Sequence, residues 1–142
     1  MKKATSLLVV LAMFMSASCG ALLKDEEEAG STSLVGTWKM TSMSDNGQYH
    51  EMSSENILLK MGASDYKVSE NGCVAEEGTY ATSGNTLALT ATGVYDCGNG
   101  VDGAAGDTQN IQYNVDGDKL LLTSTWTDSG GSGESIMSWT RQ

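Results

Sequence analysis

The chain has 142 residues, a formal net charge of -10 from 8 Lys+Arg against 18 Asp+Glu, 17 Gly, 3 Cys, one His and no Pro. That length suits one domain, and eight scattered cations build no basic patch, so nucleic acid is excluded as a partner. With 39% hydrophobic residues the chain is too apolar to be wholly disordered, and with His50 as its one histidine a multi-histidine zinc site is out of reach.

Residues 1–18 read as an export signal. Lys2 and Lys3 form a positive n-region, 7–15 an apolar h-region, and Ser16-Ala17-Ser18 a small-residue cleavage site. The apolar stretch is shorter than the roughly 20 residues a spanning helix needs. Cys19 follows directly, and Ser16-Ala17-Ser18-Cys19-Gly20 resembles the lipobox of bacterial lipoproteins, with Ser16 where that family carries an aliphatic residue. The resemblance implies acylation of Cys19, a membrane anchor, and, with Gly20 rather than Asp next, the outer membrane, facing the periplasm or the cell surface. An ordinary secretory signal beside a stray Cys is the alternative. Residues 19–33 carry Lys24-Asp25-Glu26-Glu27-Glu28 and Gly30-Ser31-Thr32-Ser33 without apolar periodicity, and read as an acidic flexible tether.

From Leu34 to Gln142 the hydrophobic period is two. Strands are expected at 34–40, 57–61, 66–70, 78–82, 85–92, 108–115, 119–126 and 134–141. Turn residues separate them, among them Asp45-Asn46-Gly47, Asn71-Gly72, Ser83-Gly84-Asn85, Asp116-Gly117 and the loop 130–133. Eight closely spaced strands with no helix between them predict an all-β fold, an antiparallel up-and-down barrel, with a two-sheet sandwich as the alternative. A turn at Asp116-Gly117 sets Val115 against Asp118, Tyr113 against Leu120 and Ile111 against Leu122. A second turn near Gly84-Asn85 brings Leu87 and Leu89 back past Thr82 and Tyr80. Carried outward, that register leaves Cys73 and Cys97 about opposite, so an exported chain is expected to join them. Three cysteines then resolve as one lipid site and one disulfide.

Leu34-Val35-Gly36-Thr37-Trp38-Lys39-Met40 is similar to the Gly-X-Trp first-strand motif of lipocalins, as carried by small bacterial lipocalin-like lipoproteins. The resemblance implies a barrel over 34–142 whose floor Trp38 closes, with Arg141 packing across it; Gly36, Trp38 and Arg141 would be structural.

Catalysis is not expected. His50 sits beside Glu51 in a loop or short strand, no nucleophile elbow is present, and Glu76 and Glu77 would face opposite sides of a strand. No cofactor is expected and no metal. The only metal candidates are Asp96, Asp102 and Asp107, on the Gly-rich loop 93–107, whose spacing is not that of an EF-hand; a long mobile loop at the barrel mouth is preferred. Inward positions are expected at Trp38, Met40, Leu59, Met61, Tyr66, Tyr80, Leu89, Ile111, Tyr113, Leu122, Trp126 and Trp139. Of these, Met40, Met61, Tyr66, Tyr80, Tyr113 and Trp126 are the candidate lining of a cavity for a small apolar or amphipathic ligand. The expectation is a monomeric, non-enzymatic binder; a filled barrel docking a protein partner through its surface or long loop is the alternative.

Overall fold

The computed structural model describes residues 33–101, 103–128 and 130–142. The expected signal, Cys19, nearly all of the tether, and Asp102 lie outside the described residues. Nine strands and no helix make up the described chain: β1 (Gly36–Asp45), β2 (Gln48–Glu51), β3 (Ile57–Met61), β4 (Asp65–Glu70), β5 (Cys73–Ser83), β6 (Thr86–Val94), β7 (Thr108–Asp116), β8 (Lys119–Asp128) and β9 (Gly131–Arg141). From β3 to β9 each strand pairs antiparallel with the next, and β1 bridges β3 to β9, closing the sheet on itself. Closure removes the barrel's open edges and decides against the sandwich.

All eight expected strands are present. The ninth, β2, is short and wholly exposed, and Gln48-Tyr49-His50-Glu51 has no apolar alternation to announce it. β2 lies along Ser42–Asp45 of β1 while β3 lies along Gly36–Lys39 on the same edge. The two are therefore one returning strand interrupted at 52–56, and the barrel remains eight strands around.

Turn chemistry sets the hairpins. Asn46-Gly47 and Asn71-Gly72 have positive φ at both positions, 48° and 80° in the first and 50° and 85° in the second, as type I′ turns require. The β7–β8 hairpin turns one residue later than the sequence suggested: Asp116 pairs with Lys119 and the central residues are Gly117-Asp118. Gly117 has φ 57°, suited to the first central position of a type II′ turn. Val115 therefore faces Leu120 and Tyr113 faces Leu122, a slip of two residues from the expected register. Because side chains alternate with period two, the slip keeps the same apolar set inside.

The glycine-rich segment 130–133 also differs from expectation. β9 begins at Gly131, not at Glu134, and Gly133 pairs with Trp126. The indole covers Gly133 so closely that a Cβ there would sit 2.1 Å from Trp126 Cζ2. An aromatic lying over a strand glycine restores the contact that the missing side chain forfeits. Trp126 is thus not inward in the core; it is 43% exposed.

The core runs through the barrel from Leu34, Trp38 and Met40 past Leu59, Met61 and Tyr66 to Leu87, Ile111, Leu120, Leu122 and Trp139. Trp38, Met61, Leu87 and Leu120 are fully buried, each contributing about 1.5–3 kcal/mol relative to exposure.

Trp38 forms the floor. Its indole N–H donates to Leu34 O at 2.8 Å, and the Arg141 guanidinium stacks 4.1 Å from its ring centroid. The same guanidinium donates to Val35 O at 2.8 Å and Ser33 O at 2.7 Å, and lies 3.7 Å from the Asp118 carboxylate. Gly36 is required by this arrangement: its φ is +147°, and a Cβ would stand 2.5 Å from Arg141 Nη1. The close contact explains physically why glycine, tryptophan and arginine occur together here.

Candidate functional site

At the end opposite the floor, the barrel is flanked by the 46–47 and 71–72 turns and roofed in part by the 95–107 loop. Under that loop opens a cavity of about 350 Å³. Its lining comes from Val68 and Glu70 of β4, Ala75 and Glu76 of β5, Val94 of β6, Gln109 of β7, and Tyr95, Cys97, Asn99, Gly100 and Gly103 of the loop.

The strands turn these groups inward. Glu76 faces Val68 across the β4–β5 ladder, Glu70 stands two residues further along the same face, and Gln109 pairs with Leu89. A register shift at Val68/Ser69 leaves Ala75 as the extra residue of a bulge. Bulges re-aim side chains near sites, and this one keeps Glu76 inside while Glu77 faces out. Glu76 accepts a hydrogen bond from the buried Tyr66 hydroxyl. Burial first, and the Glu76 carboxylate second, raise the Tyr66 phenol well above its ordinary value. Glu77, on the outer wall, lies 3.1 Å from Lys67 Nζ and accepts from Tyr95 OH at 2.9 Å. The Tyr95 hydrogen bond, then Lys67, hold its carboxyl below the usual range.

The roof is tied to the barrel at several points. Cys73, at the start of β5, is joined to Cys97 by a disulfide with Cα atoms 5.9 Å apart, as the hairpin register implied. Tyr95 N–H donates to Ala75 O at 2.8 Å and Gly106 N–H to Ala91 O at 2.7 Å, while Ala91 N–H donates to Asp107 O at 3.0 Å. Two of the metal candidates serve the loop itself. Asp96 accepts from the N–H groups of Gly98 and Gly100, and Asp107 from that of Ala104. Among the described residues no three His, Cys, Asp or Glu side chains come together as metal ligands.

The six expected cavity residues do not converge. Met40 and Met61 are packed in the core. Tyr80 and Tyr113 spend their hydroxyls on Gly62 O and Gly84 O near the floor-end turns. Trp126 lies on the β8–β9 hairpin over Gly133. Of the six, Tyr66 alone stands beside the cavity, in a small niche with Glu76 and Ala91. His50 is exposed on β2. The residues that do line the cavity were legible only as strand parity: Glu70 shares the face of Tyr66 and Val68, and Gln109 that of Ile111 and Tyr113.

No protein-family model and no curated protein matches this sequence.

Proposed function

We propose that this protein is a monomeric, non-enzymatic, lipid-anchored envelope protein of lipocalin-like kind that binds a small molecule in the mouth of its barrel. The observation that carries the reading is the cavity of about 350 Å³ under loop 95–107, which lies in the size range of ligand pockets. An apolar wall of Val68, Ala75 and Val94 beside the polar groups of Glu70, Glu76 and Gln109 suits an amphipathic ligand rather than a purely apolar one. Binding is favoured over catalysis because His50 is exposed on β2 and is not among the cavity residues.

The Gly36–Trp38–Arg141 floor supports the lipocalin resemblance, and the signal-like residues 1–18 before Cys19 support the anchor. Ser33 is held at the floor by Arg141, so a tether from Cys19 would reach the barrel there and the mouth would open away from the membrane. The second reading, a protein-docking module with a filled barrel, draws on the continuous core below the mouth.

Native mass spectrometry on protein purified from the membranes of its source tests these together. A chain cut before Cys19, increased by acyl chains and carrying a small molecule released on denaturation, is the expected result. An unmodified Cys19 overturns the anchor, and protein that never carries a small molecule overturns the binder.

A further inference from the structure

We infer that the mouth cavity takes a cationic organic ligand, an amine or quaternary ammonium with a short apolar tail; the inference rests on the small-molecule reading above. Glu70 and Glu76 face into the barrel from adjacent strands, on the same side, and both line the cavity. Among the described residues, no lysine, arginine or histidine lines the cavity with them.

The cations of the described chain are committed elsewhere. Lys39, Lys60 and Lys67 alternate with the inward residues Trp38, Met40, Leu59, Met61, Tyr66 and Val68, and so project from the outer wall. Lys119 flanks the β7–β8 turn and Arg141 lies across the floor. Among the described residues, the ion pairs are Lys67–Glu77 and Arg141–Asp118. Two half-buried carboxylates that face one cavity repel each other, and a cation placed between them relieves that repulsion.

The shape of the site selects among cations. A bare Ca²⁺ ion would want six to eight oxygens around it, whereas here two carboxylates share the cavity with Val68, Ala75 and Val94. The volume is many times that of an ion and fits a head group with a tail. Glu76 is already oriented by the buried Tyr66 hydroxyl, so less ordering is left to binding.

All nine strands and the disulfide lie within 33–142, so the barrel is complete in the chain 19–142 carrying Cys19→Ser. That protein is titrated with hexyltrimethylammonium, hexanesulfonate, hexanol and CaCl₂, followed by calorimetry and by amide shifts at Ala75, Val94, Gly100 and Gly103. The ammonium is expected to bind in preference to the other three, with affinity falling as salt is raised. Glu70→Gln and Glu76→Gln should each weaken it about tenfold. Should either variant misfold, the salt dependence of the wild type still reports whether charge holds the ligand, and affinity unmoved by salt overturns the inference. Binding of the sulfonate or the alcohol as tightly as the ammonium, or of Ca²⁺ alone, overturns the cation inference while leaving a ligand cavity. If none of the four moves the cavity amides, the small-molecule reading fails with it.

Discussion

Replacing Cys73 and Cys97 together by serine removes the covalent tie between the start of β5 and the cavity roof. The cysteines are separated by 24 residues in sequence. Closing a loop of that length in the unfolded chain costs about 3.5 kcal/mol at 25 °C on the chain-entropy relation, and the native disulfide has already imposed that cost. For a domain of roughly 110 residues the unfolding entropy at the midpoint is about 0.23 kcal/mol/K, so the double variant should melt about 15 °C below the oxidised wild type. The assay is thermal unfolding followed by circular dichroism, on oxidised wild type, reduced wild type and the double variant. Reduced wild type and variant should melt together, because they differ from the oxidised protein in the same bond. Amide exchange should then quicken selectively in 95–107, while the Gly36–Trp38–Arg141 floor keeps its protection. A variant melting within about 4 °C of oxidised wild type, with the bond in the latter proven by mass, refutes the reasoning.

Two further perturbations probe the floor and the buried phenol. Arg141→Met keeps much of the stem's packing against Trp38 but loses the cation–π contact and both donors to Ser33 O and Val35 O. It should destabilise by about 2–3 kcal/mol in urea unfolding. Arg141→Lys should recover only part, since one ammonium cannot reproduce the planar fork, and equal stability of the Lys variant would argue against the fork. Tyr66, with its pKa raised in the folded state, keeps its proton in a range where the unfolded chain has already lost it. Its contribution is therefore fully present below pH about 10 and is lost as pH rises above that value. Tyr66→Phe should flatten the alkaline fall in unfolding free energy without abolishing it, because Tyr80 is raised as well, chiefly by burial, and Tyr95 by its hydrogen bond to Glu77. Parallel alkaline profiles for wild type and Tyr66→Phe would contradict the assignment.

How much of this was legible from residues differs by element. The strands carrying Leu87, Ile111, Leu120 and Trp139 announce themselves because a half-buried strand repeats its apolar residues every second position, a local property. The disulfide was within reach for the same reason: one hairpin register, taken from Gly84, extends to both cysteines. β2 carried no such pattern, since Gln48 to Glu51 are exposed and held by the Asn46-Gly47 turn and the edge of β1 rather than by burial. The β7–β8 register missed by two residues because Asp-Gly and Gly-Asp are both good turn dipeptides, and both choices leave the same face inside.

The cavity was misplaced on different grounds. Met40, Met61, Tyr80 and Tyr113 point inward as their parity says, yet parity does not tell packed interior from open interior.

Beside the Gly36–Trp38–Arg141 set, which the resemblance to lipocalins implied, the all-β fold, the inward and outward faces of most strands and the pairing of Cys73 with Cys97 can be read from the chain alone. These follow from period-two burial, turn chemistry and single-residue sterics, which act between near neighbours or along one ladder. That the lower barrel is filled, that the space lies under loop 95–107, and that Glu70 and Glu76 both line it emerge only once the sheet has closed. Those facts depend on how eight strands meet, where bulges shift the ladder by one residue, and which side chains then face each other across the barrel. Such distances arise from the whole closed sheet, and no segment of the chain encodes them alone.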